Sequence, residues 1–357
     1  MAQKNDTPVL VGSLLITLAL IGGGIWWFTQ RSGFNFSNAQ NSGTSTPNSD
    51  TTGTNPQVLP TGQSGAQTLG QVQNVPSGLF SYGGSTTWAP IRGRVDPAIQ
   101  NAQPGFQLRY TDPIGAPPGS GIGIQMLIQG QLAFAQSSLP LQQSEIEQAQ
   151  QRGFSLTQLP VAIEGIAIAV HPNLNIPGIT LDQLRQIYLG QITNWNQVGG
   201  ANLPITPYSR RQDGGTVEFF IKNVLGGQNF GNNVQFIGTT TQAIRAVSAN
   251  PGALYYASAP EVVGQCTTKP LPLGRQANQL IASHQGELVL PSQCPAQRNQ
   301  INTDAFRSGQ YPLTRQLFVI VKQNGQIEQQ VGEAYANLLL TNEGQNLLSE
   351  AGFVRIR

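Results

Sequence analysis

The sequence predicts an α/β fold preceded by one apolar segment long enough to cross a membrane. Three observations lead there. From about residue 78 to the C-terminus, short apolar runs of strand length alternate with segments of helical spacing. Near the N-terminus, 21 consecutive residues from Pro8 to Phe28 carry no charge. Between these two regions lies a stretch of Asn, Gln, Gly, Ser and Thr with few apolar residues.

The apolar segment reads PVLVGSLLITLALIGGGIWWF. As a helix rising about 1.5 Å per residue it spans roughly 30 Å, the thickness of a bilayer's hydrocarbon core. Trp26 and Trp27 close it, where indole rings favour the lipid–water interface. A cleaved signal peptide has a shorter apolar core and a small-residue cleavage site close behind it. The nearest candidate, Ser37-Asn38-Ala39, lies beyond Arg31. Residues 1–32 are therefore expected to form an uncleaved transmembrane anchor. Residues 33–76 read as a flexible linker, because they cannot bury enough apolar area to offset chain entropy. A flexible chain of that length reaches about 35 Å on average.

In the folded part, Val161–Val170 and Leu317–Val321 are apolar runs of strand length, and Ala253–Ala257 follows the turn signal Asn250-Pro251-Gly252. Helices are expected between the strands. Thr180 and Gln183 have capping-box spacing before Leu184, Ile187 and Tyr188. Thr216 opens a second helix with Val217, Phe220 and Val224 on one face, and Val331, Tyr335, Leu338 and Leu339 mark another near the end.

Composition excludes several functions. Lys+Arg is 19 and Asp+Glu is 17, a net charge of +2, which does not support a counterion-releasing grip on nucleic acid. Two histidines and two cysteines cannot build the usual zinc sites. No Gly-x-Ser-x-Gly elbow occurs, and His171 and His284 read as structural or surface residues rather than general bases. Trp88 and Trp195 read as packing residues. Cys266 and Cys294 are the only cysteines, and a pair in an exported domain favours a disulfide.

Four polar clusters fall where a strand or loop meets a helix. They are Gly83-Gly84-Ser85-Thr86-Thr87, Gly119-Ser120-Gly121-Ile122-Gly123, Ser137-Ser138 before Leu139-Pro140-Leu141, and Arg210-Arg211-Gln212-Asp213-Gly214-Gly215-Thr216. Any one alone reads as a turn, a helix cap or a solvated basic patch. Together they offer hydroxyls, unpaired N–H groups of helix N-termini and guanidinium, the donors that a tetrahedral anion needs.

These segments also carry a resemblance. ITLDQLRQIYLGQITNWNQVGG (Ile179–Gly200) and ITPYSRRQDGGTVEFF (Ile205–Phe220) resemble signatures of the phosphate-binding proteins that serve ABC transporters. The Gly-Ser-Thr-Thr loop, Ser-Ser-Leu-Pro-Leu, Pro251–Ala259 and Tyr311-Pro-Leu-Thr-Arg315 continue it in order. The resemblance implies a type II periplasmic-binding-protein fold, with two α/β lobes joined by a hinge. The chain would cross between lobes near Ile163–Gly165 and Thr314–Leu317, making lobe one residues 77–165 with 316–357 and lobe two residues 166–315. It implies phosphate ligands at Thr86, Thr87, Ser120, Ser138, Arg211, Gly214, Gly215 and Thr216. Arg210 is the alternative arginine, because the spacing from Arg211 is one residue short. Ser138 stands where the family commonly has aspartate, and Gly214 where it has serine.

The expectation is a membrane-tethered, monomeric solute-binding protein. It would capture phosphate or a similar oxyanion for an ABC transporter permease, without cofactor, metal or catalysis, on the periplasmic or extracellular side. An anchored sensory or scaffold domain with weak or altered oxyanion binding is the alternative, and an exported phosphatase a more distant one.

Overall fold

A computed structural model of the chain describes residues 66–211 and 215–357. The expected anchor, the linker as far as residue 65, and Gln212, Asp213 and Gly214 lie outside the described residues. Among the described residues no helix is long and apolar enough to cross a membrane.

The first half of the fold contains β1 (Gly78–Gly84), α1 (Ala89–Ala102), β2 (Phe106–Tyr110), α2 (Ser120–Ile128), β3 (Phe134–Ser137), α3 (Gln143–Gln151) and β4 (Ser155–Val170). Then come β5 (Ile179–Thr180), α4 (Leu181–Tyr188), β6 (Thr206–Arg210), α5 (Gly215–Asn223), β7 (Gln235–Ile237), α6 (Thr240–Ala249), β8 (Ala253–Ser258) and α7 (Ala259–Val262). The chain closes with β9 (Lys269–Leu271), β10 (Leu273–Gly274), β11 (Leu280–Ile281), α8 (Thr303–Arg307), β12 (Thr314–Gln323), α9 (Ile327–Leu339) and α10 (Asn342–Glu350). The expected α/β alternation is present, and each strand and helix singled out above overlaps one of these elements, with Val224 one residue beyond the end of α5. Thr180 caps α4 as its spacing predicts: its Oγ1 accepts from Gln183 N at 3.1 Å while Gln183 Oε1 accepts from Thr180 N at 2.8 Å.

A nine-stranded sheet runs β2-β1-β3-β12-β4-β8-β6-β7, with β9 also paired to β4. Its outer strands pair in parallel (β1 with β2 and β3, β6 with β7 and β8), and the central ones are antiparallel. The 16 residues of β4 explain the continuity. Up to Gly165 it pairs with β12, and from Ile166 it pairs with β8. Arg315 on β12 thereby lies directly opposite Glu164 on β4. Ile163 exchanges two backbone hydrogen bonds with Val354, and the Tyr311 hydroxyl donates to Ile166 O, bracing the point where β4 changes partners. A small sheet, β11-β10-β5, lies apart.

Buried side chains gather on either side of that change of partner. One cluster holds Trp88, Ile91, Phe134, Val319 and Tyr335, packing α1 and α9 on β1, β3 and β12. Another holds Tyr188, Trp195, Phe220, Val247 and Tyr256, packing α4, α5 and α6 on β4 and β8. The Phe220 and Tyr256 rings stack with centroids 3.7 Å apart. Trp88 and Trp195 pack as expected, each donating its indole N–H to a carbonyl, Ser137 O and Gly252 O.

The linker boundary needs correction. Leu69 and Val72 are buried in the first cluster, and Leu69 N donates to Glu343 Oε2 at 2.9 Å. Two apolar residues within a polar stretch suffice to dock it, so the last part of residues 33–76 belongs to the folded body.

Cys266 and Cys294 are joined, closing a loop of sequence separation 28. By the chain-entropy argument such a closure contributes about 3–4 kcal/mol. Replacing both cysteines by serine is expected to lower the unfolding free energy by that amount under oxidising conditions. Under reducing conditions the two proteins should converge, as read by denaturant melts.

Candidate functional site

The site begins with close backbone approach. β1 ends in Gly83-Gly84, and Gly84 has φ 122°, a conformation that favours glycine. A Cβ there would lie 2.2 Å from Gln136 O, and one on Gly123 would lie 2.4 Å from Gly84 Cα. The absence of both side chains lets α2 settle against the end of β1. Ser85, just after β1, and Ser120, at the first turn of α2, are thereby drawn beside Ser138, just after β3. Ser85 N donates to Gln136 O at 2.8 Å, fixing the exit from the strand.

Three hydroxyls meet as a result. Ser138 Oγ lies 2.9 Å from Ser85 Oγ and 3.3 Å from Ser120 Oγ, and Ser138 N donates to Ser120 Oγ at 3.1 Å. All three serines are buried. Gly215, the first residue of α5, faces them: a Cβ on it would lie 2.8 Å from Ser138 Oγ, 3.5 Å from Ser85 Oγ and 3.6 Å from Ser120 Oγ. The first turns of α2 and α5 are therefore neighbours. The first N–H groups of a helix lack partners within it and carry partial positive charge, so two such ends favour an anion between them.

A guanidinium completes the crevice. Arg315 Nε donates to Glu164 Oε2 at 2.5 Å, with both side chains almost fully buried. Its Nη1 donates to Gly215 O at 2.8 Å, and its Nη2 to Thr87 Oγ1 at 2.9 Å and Thr216 Oγ1 at 3.0 Å. One planar group thus binds the loop after β1 and the start of α5 together. Glu164 Oε1 has no hydrogen-bond partner among the described residues.

The structure brings together Thr87, Ser120, Ser138, Gly215 and Thr216 from the residues read in the sequence. Thr86 lies in the same 3₁₀ turn as Thr87 and is half-buried. Gly214 lies outside the described residues. Arg211 is exposed. Arg210, at the end of β6, is half-buried, and its charge acts on Tyr255, Tyr256 and Glu261. Arg315 is the guanidinium that reaches Gly215 O, Thr87 and Thr216, and sequence reading missed it together with Glu164 and Ser85. Ser85 sits inside the first polar loop. Arg315 ends the quoted Tyr311-Pro-Leu-Thr-Arg segment, but only cross-strand register pairs it with Glu164. His171 and His284 stand apart from the cluster: Nδ1 of His171 accepts from Asn173 N, and burial lowers the pKa of His284.

The family model described as the PBP superfamily domain matches residues 44–343. The chain belongs to the PBP superfamily. Over 289 residues it is 25% identical to protein SphX of Synechococcus elongatus, covering 77% of each chain. Over 287 residues it is 24% identical to the phosphate-binding protein PstS of Borreliella burgdorferi, covering 78% of this chain and 90% of that one. An ABC-type phosphate transport receptor from Vibrio cholerae has the same fold, with a TM-score of 0.61 at 22% identity over 77% of this chain and 99% of the other. The resemblance to phosphate-binding proteins read from Ile179–Gly200 and the later segments holds.

In this PBP-superfamily chain the crevice is tied to a buried carboxylate. Arg92 Nη1 donates to Ser85 O and to Gln136 Oε1, both at 3.1 Å. Gln136 Nε2 donates to the Tyr335 hydroxyl at 2.9 Å, and that hydroxyl donates to Asp96 Oδ1 at 3.0 Å. Tyr82 donates to the other oxygen, Asp96 Oδ2. Burial pushes the Asp96 pKa up to about 6, against the two tyrosine hydrogen bonds and the Arg92 charge, which favour the carboxylate. The Tyr82 and Tyr335 hydroxyls are held well above the usual tyrosine range, first by burial and then by Asp96.

The sign of the pH dependence follows. The folded state holds the Asp96 proton more tightly than the unfolded chain does. Stability from this group is therefore full below about pH 4 and is lost as pH rises through about 6, by roughly 3 kcal/mol. Asp96→Asn removes the titration. The stability of wild type relative to Asp96→Asn is expected to fall by that order between pH 4 and pH 7 in urea melts, and a constant difference would contradict the assignment.

Proposed function

We propose that the protein is a solute-binding protein that captures inorganic phosphate, or a similar oxyanion, for ABC-type uptake and releases it unchanged. The observation that carries this reading is the convergence of Ser85, Ser120 and Ser138 on Gly215, with Arg315 reaching Thr87 and Thr216, in one buried crevice. The names of the relatives support it. Arg315 is already paired with Glu164, so the crevice has little net charge of its own. An anion there would be held by hydroxyls, helix N-terminal N–H groups and the one guanidinium N–H not already engaged, directed donors that replace its hydration shell.

In this reading residues 77–165 with 316–357 form one lobe and 166–315 the other. β4 and β12 serve as the connecting strands, and the lobes part and close about them to admit the ion. Thr86, Thr87, Ser85, Ser120, Ser138, Gly215, Thr216 and Arg315 line the site. The disulfide suits an oxidising space outside the cytoplasm. Residues 1–32 tether the protein to the membrane surface, and a permease takes up the released ion.

Titration calorimetry on the full chain in detergent tests this. Phosphate is expected to bind. Arg315→Lys, which keeps the charge opposite Glu164 but loses the planar fork, is expected to raise the phosphate Kd at least tenfold, since a hydrogen bond to a charged group is worth about 1.5–3 kcal/mol. Arg211→Ala should stay within twofold. An unchanged Kd in Arg315→Lys, with the fold intact by circular dichroism, would refute the placement of the ion.

Selectivity provides a second measurement. Ser138 is neutral, so it does not repel an oxyanion that lacks a proton. Phosphate is expected to be preferred over sulfate by less than a thousandfold, and Ser138→Asp should raise that preference at least tenfold.

A further inference from the structure

The crevice does not end at the three serines. Ser120 and Gly215 also form part of the wall of a cavity of about 420 Å³. That size falls in the range of pockets that hold organic ligands, roughly 300–1,000 Å³. A five-atom oxyanion needs far less. The cavity is present although the segments around it are in contact: Arg315 bridges Thr87 and Thr216, and Lys222 Nζ on α5 donates to Gln142 Oε1 before α3 at 2.8 Å.

The rest of the wall is of mixed character. Pro118, Ile122 and Ile221 are apolar, while Glu218 and Lys222 are charged. Lys222 is engaged with Gln142. Glu218 has no hydrogen bond or ion pair with any described residue. Burial raises its pKa, and the charges of Lys222 and Arg315 act in the opposite direction. Glu218 is exposed to solvent on α5, three residues after Gly215, and a carboxylate there, in the same wall as Ser120 and Gly215, is complementary to a ligand with negative charge at one end and positive charge at the other. The crevice does not demand four free oxygens. Its serines and guanidinium are donors, and donors serve an ester or phosphonate oxygen as readily as a hydroxyl oxygen of phosphate.

We propose that the site takes a phosphate monoester or phosphonate bearing a short aminoalkyl group, with its phosphoryl oxygens on Ser85, Ser120, Ser138 and Arg315 and its ammonium on Glu218. Pro118, Ile122 and Ile221 pack the methylene groups between the two ends. This rests on the oxyanion reading above and narrows its ligand class.

The test is titration calorimetry of the full chain with three probes: inorganic phosphate, ethyl phosphate and O-phosphoethanolamine. O-phosphoethanolamine is expected to bind at least as tightly as inorganic phosphate. Glu218→Gln is expected to weaken O-phosphoethanolamine at least tenfold while inorganic phosphate and ethyl phosphate stay within threefold. Pro118→Trp, which fills the cavity from its loop side, is expected to weaken both organic ligands and spare inorganic phosphate. If inorganic phosphate binds and O-phosphoethanolamine binds more weakly, or loses less than tenfold in Glu218→Gln, the proposal is overturned and the oxyanion reading stands. If no probe binds, both fall.

Discussion

Arg315 is buried on β12, and its guanidinium is paired there with Glu164, which stands opposite it in the β4–β12 register. Taking an unpaired guanidinium out of water would cost several kcal/mol, more than a domain of this size can absorb easily. The carboxylate removes that cost and leaves the outer face of the guanidinium free to bind Gly215 O, Thr87 and Thr216. The ion pair therefore does more than neutralise charge. It fixes the orientation of a planar donor at the one place where residues from β1, α5 and β12 meet.

Close backbone approach is the second requirement. Gly84 and Gly123 let a helix end rest against a strand end, and Gly215 lets another helix end reach the three serines. Hydroxyl groups are short, so they converge only where the backbones that carry them are close. A methyl group on Gly84 or Gly123 would meet backbone at 2.2 or 2.4 Å, so the helix end or the strand end would have to shift. The buried Asp96 network serves the same end, because Arg92 and Gln136 hold Ser85 and its strand partner in place from behind.

The low charge of the chain is consistent with this design. A crevice built from neutral donors and one compensated guanidinium offers an anion geometry rather than net charge. Such a site discriminates by shape, by which ligand atoms accept hydrogen bonds, and by what the adjoining cavity accommodates.

The α/β architecture was legible because strand and helix formation depend on local periodicity, and β4, β8, β12, α4, α5 and α9 fall where apolar runs and capping residues predict them. The polar loops were legible for the same reason: glycine, serine and threonine before a helix announce an unpaired N-terminus. Three things were not. The burial of Leu69 and Val72 depends on contacts with residues distant in sequence. The placement of Arg315 depends on the register between β4 and β12, which sets it against Glu164 across 151 positions of sequence. The meeting of Ser85, Ser120 and Ser138 depends on how closely two glycines let a helix approach a strand. The sequence by itself determined the elements and the chemistry of their ends, since both are set by near neighbours. Only the tertiary structure decided which ends meet, because that follows from packing and strand register over the whole chain.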